Sequence, residues 1–319
     1  MKIEDVKKVA LFGGGTMGTG LAQVFASAGY KVTMFTIGQK DIERAMSIIE
    51  SNIKTFIERG LIAEDRLEAI LANITPTESI EETAADADFV IECIIEDRDA
   101  KRELYKKIDD LCPESTVITS NTSYLNIFEL MPERRLEKTV IAHWFAPPHI
   151  VPLVEVVRGE KTSDETVDFV SALLKKVDHV PAVLEKFIDG FCINRLQRII
   201  GREIFFQIDN GYITPEMLDI AVKASIIPRA MVLGFVQRYD FTGLDLSARN
   251  LQNPDYPEPP IDNEPKSLIE HVKKGELGVR SGKGFFDYSD RPIEEVLRER
   301  DMKLLDTYES LKDLIYKKI

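Results

Sequence analysis

The sequence predicts an α/β protein: a doubly wound, mostly parallel sheet followed by a second, all-helical domain. Three observations carry that expectation. An apolar strand, Val9-Ala10-Leu11-Phe12, runs directly into Gly13-Gly14-Gly15-Thr16-Met17-Gly18-Thr19-Gly20 and then into an amphipathic helix. Short apolar strands then alternate with helical stretches up to about residue 188, which implies a parallel sheet built from crossovers. From Gly190 onward the pattern is helical.

In chain order, the first helix runs from Met17 to Ala28 and is stopped by Gly29, before a second strand at Val32-Thr33-Met34-Phe35. Residues 41–72 are charged, helical in pattern and broken at Gly60, so an antiparallel helical arm inserted in the first domain is expected. Strands follow at Phe89-Val90-Ile91, Thr116-Val117-Ile118 and Thr139-Val140-Ile141-Ala142, with a helix from Lys101 to Leu111 between the first two. Another strand, Leu153 to Val157, precedes a helix over 164–176. The expected domains are 1–188 and 189–319. The second holds helices over Phe191–Ile208 and Thr214–Lys223, a Pro-rich stretch from Pro254 to Pro265, further helix, and a charged helix over 292–313.

With 319 residues, the chain exceeds what one hydrophobic core serves. Its 44% hydrophobic and 30% charged content is that of an ordinary globular protein. A net charge of −13 argues against a nucleic-acid or anionic-membrane partner. No apolar run has the length of a membrane span. Cys93, Cys112 and Cys192 are far apart and lack metal-ligand spacing, so they read as reduced, mostly buried thiols, and a cytoplasmic location is expected.

The glycines define a phosphate cradle at a helix start. Gly13 permits the tight turn, Gly15 lets backbone approach a pyrophosphate, and Gly18 lets helix and strand pack closely. The first-turn amides around Thr16 and Met17, with the positive end of the helix dipole, would hold the anion. At the end of the second strand an NAD-selective site ordinarily carries Asp or Glu, and here Thr36 stands there. A hydroxyl can bond a ribose but does not repel a 2′-phosphate, and Lys40 lies close enough to attract one. NAD is the expected cofactor, with NADP open.

His143 closes a buried strand and is followed by Trp144-Phe145-Ala146-Pro147-Pro148, at the carboxyl end where open α/β sheets bind ligands. Twelve residues later, Glu155 interrupts an apolar strand, where an unpaired carboxylate would be costly. A His–Glu pair answers that cost: the carboxylate fixes the imidazole tautomer and stabilises the imidazolium.

Together with the glycine loop, the segments Ser120-Asn121-Thr122-Ser123, His143 with Pro147, Leu153-Val154-Glu155-Val156 and Gly190-Phe191-Cys192-Ile193-Asn194-Arg195 resemble the L-3-hydroxyacyl-CoA dehydrogenases in order and spacing. The resemblance covers about residues 5–290. It implies an amino-terminal Rossmann domain, a helical carboxyl-terminal domain that also forms a dimer interface, and NAD-dependent oxidation of an L-3-hydroxyacyl-CoA. It further implies that His143 is the general base, Glu155 orients it, and Ser123 and Asn194 bind the reacting oxygen. Glu96, Lys101 and Asn121 match cofactor contacts, and Arg280 stands where a Lys of the family reaches toward the cofactor. Lys54 and Arg59 on the helical arm are cations that could meet CoA phosphates.

Several positions depart from the family pattern. Ala146 replaces an Asn, Val232-Leu233-Gly234 replaces a Met-Gly-Pro-like turn, and the tail from Pro292 to Ile319 is long. The tail and His149-Ile150-Val151-Pro152 are similar to the carnitine dehydrogenase and lambda-crystallin branch. A free hydroxy acid is therefore the alternative substrate. Outside enzymology, a nucleotide-sensing or structural protein is the alternative, although it would need none of His143, Glu155, Ser123 and Asn194.

Overall fold

The computed structural model describes residues 3–255 and 257–317. Met1, Lys2, Tyr256 of the Pro-rich stretch, and Lys318 and Ile319 of the tail lie outside the described residues. The chain divides into two compact units, Met1–Arg195 and Leu196–Ile319.

The first unit is built on β1 (Lys8–Phe12), β2 (Lys31–Phe35), β3 (Ile74–Thr77), β4 (Phe89–Glu92), β5 (Val117–Ser120), β6 (Thr139–Trp144), β7 (Leu153–Arg158) and β8 (Val180–Leu184). They form one sheet in the order β3-β2-β1-β4-β5-β6-β7-β8. The strands from β3 to β6 run parallel, whereas β7 pairs antiparallel with β6, and β8 lies parallel to β7. Connections leave β1 in one direction toward β2 and β3 and return on its other side at β4. That reversal opens a crevice at the carboxyl ends of β1 and β4.

Successive strand residues face opposite sides, and both sides are apolar, as a sheet covered on both faces requires. Val9, Leu11, Ile91, Ala142 and Val156 pack with α1 (Thr16–Ser27), α2 (Gln39–Glu58) and α6 (Asp164–Lys176). Ala10, Phe12, Val90, Ile118, Ile141 and Val157 pack with α4 (Ile80–Ala84) and α5 (Arg98–Leu111). The alternation puts Glu92, Ser120, His143 and Glu155 on this second face, near the ligand-binding end of the sheet.

The charged stretch is helical on both sides of Gly60. That glycine, at φ +71°, follows α2, and a 3₁₀ turn over Glu64–Arg66 leads into α3 (Leu67–Leu71) before the chain enters β3. An Asn73 amide that donates to the Ala26 carbonyl at 3.1 Å fixes this entry. The segment is thus a crossover joining β2 to β3, and its buried Ala45, Ile49 and Ile53 belong to the core. The reading of the cysteines is corrected: all three are free, but only Cys112 is buried, Cys93 is half-buried and Cys192 is exposed.

The second unit takes in most of α7 (Ile193–Asp209), then α8 (Pro215–Ala224), α9 (Ile226–Thr242), α10 (Leu244–Leu251), α11 (Lys266–Lys273) and α12 (Ile293–Leu311). Gly234, at φ +67°, breaks α9 where the sequence departs from the family's turn. None of the described residues of α7 to α11 is buried. No helix among the described residues is long and apolar enough to cross a membrane.

Candidate active site

The glycine loop follows β1 and leads into α1. Gly13 has φ +121°, and a Cβ there would lie 2.6 Å from the Cys93 carbonyl oxygen. A Cβ on Gly18 would lie 1.7 Å from the Gly13 carbonyl oxygen, so no larger residue fits. Gly15 differs: a Cβ there would meet no protein atom within 4 Å, and its φ of −77° is ordinary. The loop therefore keeps its open side at Gly15, above the first turn of α1. That turn has no side-chain cap and no acidic residue, so Thr16, Met17 and Gly18 present amides to an anion. This cradle fits a pyrophosphate.

Thr36 follows β2 and is buried, with its hydroxyl against Gly14, whose Cβ would come within 2.7 Å of it. Lys40 is exposed in the first turn of α2.

His143 and Glu155 are direct cross-strand partners in the β6–β7 register. Such partners carry their side chains on the same face within bonding reach. His143 Nδ1 meets Glu155 Oε2 at 2.8 Å, with both residues buried. An ionised carboxylate only accepts, so the neutral imidazole at this position carries its proton on Nδ1 and has its lone pair on Nε2. The imidazole lies beside Phe145 and Phe191, at 4.6 and 5.3 Å between ring centroids.

The second oxygen of Glu155 accepts from the amides of Cys192 and Ile193, each at 2.9 Å. One carboxylate therefore orients the imidazole and anchors the first turn of α7, which carries Asn194. The turn into that helix uses left-handed backbone at Gly190 (φ +75°) and at buried Phe191 (φ +53°). A bulky residue in that region stores strain and is held there by its surroundings.

Asn194 Nδ2 donates to the Ser123 carbonyl oxygen at 3.3 Å, so these two predicted residues are brought together. Asn121 Oδ1 accepts from the Trp144 amide at 2.8 Å and ties the end of β5 to the end of β6. Glu96 Oε1 accepts from Thr122 Oγ1 at 2.6 Å and from the amides of Ser123 and Tyr124 at 2.7 and 3.3 Å.

Lys101 is 1% exposed, and its ammonium lies between Glu92 Oε1 at 2.6 Å and Glu96 Oε2 at 3.3 Å. A cation enclosed between two carboxylates holds Glu96 in place. Lys54 lies on the exposed face of α2, paired with Glu50 at 2.6 Å, and Arg59 caps the end of that helix. Arg280 belongs to the second unit, exposed in a short helical turn.

Sequence reasoning passed over Tyr105 and Glu92, and quoted Ser120 and Phe191 only as motif members without a role of their own. Glu92 had a signal: it is an acidic residue in an otherwise apolar strand, as is Glu155.

Comparisons with known proteins follow from this geometry. The model of the 3-hydroxyacyl-CoA dehydrogenase NAD-binding domain matches residues 8–187, and that of the same family's C-terminal domain matches 190–288. A 5-formyl-3-hydroxy-2-methylpyridine 4-carboxylate 5-dehydrogenase of Mesorhizobium japonicum is 32% identical over 303 residues, which is 94% of this chain and 96% of that protein. A solved structure of an enzyme of that name, described as an NAD+ dependent dismutase, superposes with a TM-score of 0.84 at 30% identity. It covers 96% of this chain and 99% of the other. The (S)-3-hydroxybutyryl-CoA dehydrogenase of Ralstonia eutropha gives 0.71 at 29% identity, covering 90% of this chain and all of its own.

Proposed function

Because this chain belongs to the 3-hydroxyacyl-CoA dehydrogenase family and is an NAD-dependent oxidoreductase, we propose that it interconverts an L-3-hydroxyacyl-CoA and the 3-oxoacyl-CoA. The observation that carries this reading is the His143–Glu155 pair at the carboxyl end of the sheet, with Nδ1 engaged and Nε2 left as a base. In the oxidation, His143 Nε2 takes the proton of the substrate hydroxyl as the carbinol C–H bond breaks. Bound NAD supplies the acceptor for that hydride. Glu155 stabilises the imidazolium that results. The Ser123 hydroxyl, and the Asn194 amide hydrogen not spent on the Ser123 carbonyl, donate to the oxygen as it becomes a carbonyl.

A free hydroxy acid is the second reading. The likeness to the pyridine-carboxylate enzyme has a TM-score of 0.84 over 96% of this chain, against 0.71 over 90% for the 3-hydroxybutyryl-CoA enzyme. Ala146 also favours it, since it removes a polar group that a CoA thioester could use. The test is NADH oxidation at 340 nm with acetoacetyl-CoA beside free 3-oxo acids. We expect turnover of acetoacetyl-CoA. Turnover of free acids alone establishes the second reading, and NADH binding without turnover of any 3-oxo compound returns the chain to a sensor.

The partner is a second copy. The helices α7 to α11 bury none of their described residues, and Val236 and Leu251 are 83% and 82% exposed. An unpaired apolar helical face of this extent calls for an isologous interface on the order of 2,000 Å². Light scattering should give about twice the 36.1 kDa chain mass at micromolar concentration, and a monomer there refutes it. Three free thiols suit the reducing cytoplasm.

A further inference from the structure

We propose that Glu92 is a positioning residue for Ser123, acting through Lys101 and Glu96 and supported by Tyr105. The proposal rests on the reading that Ser123 binds the reacting oxygen. Glu92 ends β4 with no exposed surface, and its carboxylate accepts four hydrogen bonds. Oε1 takes the Ile94 amide at 2.8 Å and the Lys101 ammonium at 2.6 Å, and Oε2 takes Tyr105 Oη at 2.7 Å and Ser120 Oγ at 2.6 Å. Removing such a group from water is costly, and an apolar residue would close the strand without that cost. The carboxylate is therefore explained by what it holds.

It holds both ends of the loop that carries Ser123. At the near end, Ser120 Oγ donates to Glu92 and accepts from the Thr122 amide at 3.2 Å. At the far end, Lys101 transmits the restraint to Glu96, whose other oxygen gathers Thr122 Oγ1, the Ser123 amide and the Tyr124 amide. The loop backbone then meets Asn194 through the Ser123 carbonyl. Tyr105 completes the device. Its burial and the adjacent Glu92 charge hold the phenol well above its ordinary pKa, so it stays a donor.

The full-length chain with Glu92→Gln tests this by two measurements. First, amide hydrogen exchange across residues 121–125 should speed up by about tenfold or more, with the core of β1 unchanged. Second, kcat should fall by about 10- to 100-fold, as expected for losing bonds to a charged group, with KM for NAD held within about twofold. In a Ser123→Ala background the same substitution should change kcat by less than about twofold, because residues acting through one another are not additive. Unchanged exchange, or an equal loss in both backgrounds, overturns the proposal. If Ser123→Ala alone turns over normally, the assignment of Ser123 fails, and the exchange result still decides whether Glu92 holds the loop. Should Glu92→Gln not fold, Tyr105→Phe removes one donor without stranding a charge, and the same loop-confined gain in exchange is required of it.

Discussion

Replacing His143 with glutamine should lower kcat by about two to four powers of ten while NADH affinity stays within about twofold. Glutamine approximates the reach of the imidazole and keeps an amide N–H to donate to Glu155 Oε2, the oxygen that now lies 2.8 Å from Nδ1. It has no group of suitable basicity to accept the alcohol proton. Its neighbours Phe145 and Phe191 pack against a side chain of similar width, so the second face of the sheet keeps its core. The cradle at Gly13–Gly18 is formed by β1 and α1, which pack on other residues, and NADH binding should be spared. Steady-state rates at 340 nm and fluorescence titration with NADH make the comparison. A variant with the parent's kcat removes His143 from the reaction.

The site was legible in sequence wherever a residue type contradicted its surroundings. Three glycines at fixed spacing after a strand have few other uses, and Gly18 meets a backbone oxygen that excludes any Cβ. Glu155 in an apolar strand demanded a partner, and His143 was the available one. The same reasoning applied to Glu92 would have predicted a buried partner for it, and with it the enclosed position of Lys101. Strand direction left no comparable trace. Alternation specifies which face a side chain occupies but not which way the strand runs, so the antiparallel pairing that sets Glu155 opposite His143 came only from the structure. The strands β3 and β8 were invisible for a physical reason. Each contains a proline, Pro76 or Pro181, which reads as a strand breaker, and each lies at an edge of the sheet, where a missing N–H is tolerated.

Glu155→Gln should cost about as much activity as losing the base, with little loss of stability, because it inverts the tautomer of His143. The Cys192 and Ile193 amides donate to Oε1 and continue to require an oxygen there. Satisfying them turns the new amide nitrogen toward Nδ1, which must then accept. The imidazole proton moves to Nε2, the atom that has to take the proton of the alcohol. A serine-protease triad with the equivalent Asp→Asn change loses about 10⁴ in kcat by this route, and a loss of about 10² to 10⁴ is expected here. Glu155→Ala, which removes anchoring as well as orientation, separates the two by comparison with the glutamine variant. It strands two amides at the start of α7 and should destabilise the first unit by about 2–4 kcal/mol, moving Asn194 as well as the imidazole. Nitrogen chemical shifts of His143 would report the tautomer directly. If the glutamine variant keeps Nδ1 protonated, or turns over within about tenfold of the parent, orientation by Glu155 is not what the reaction depends on.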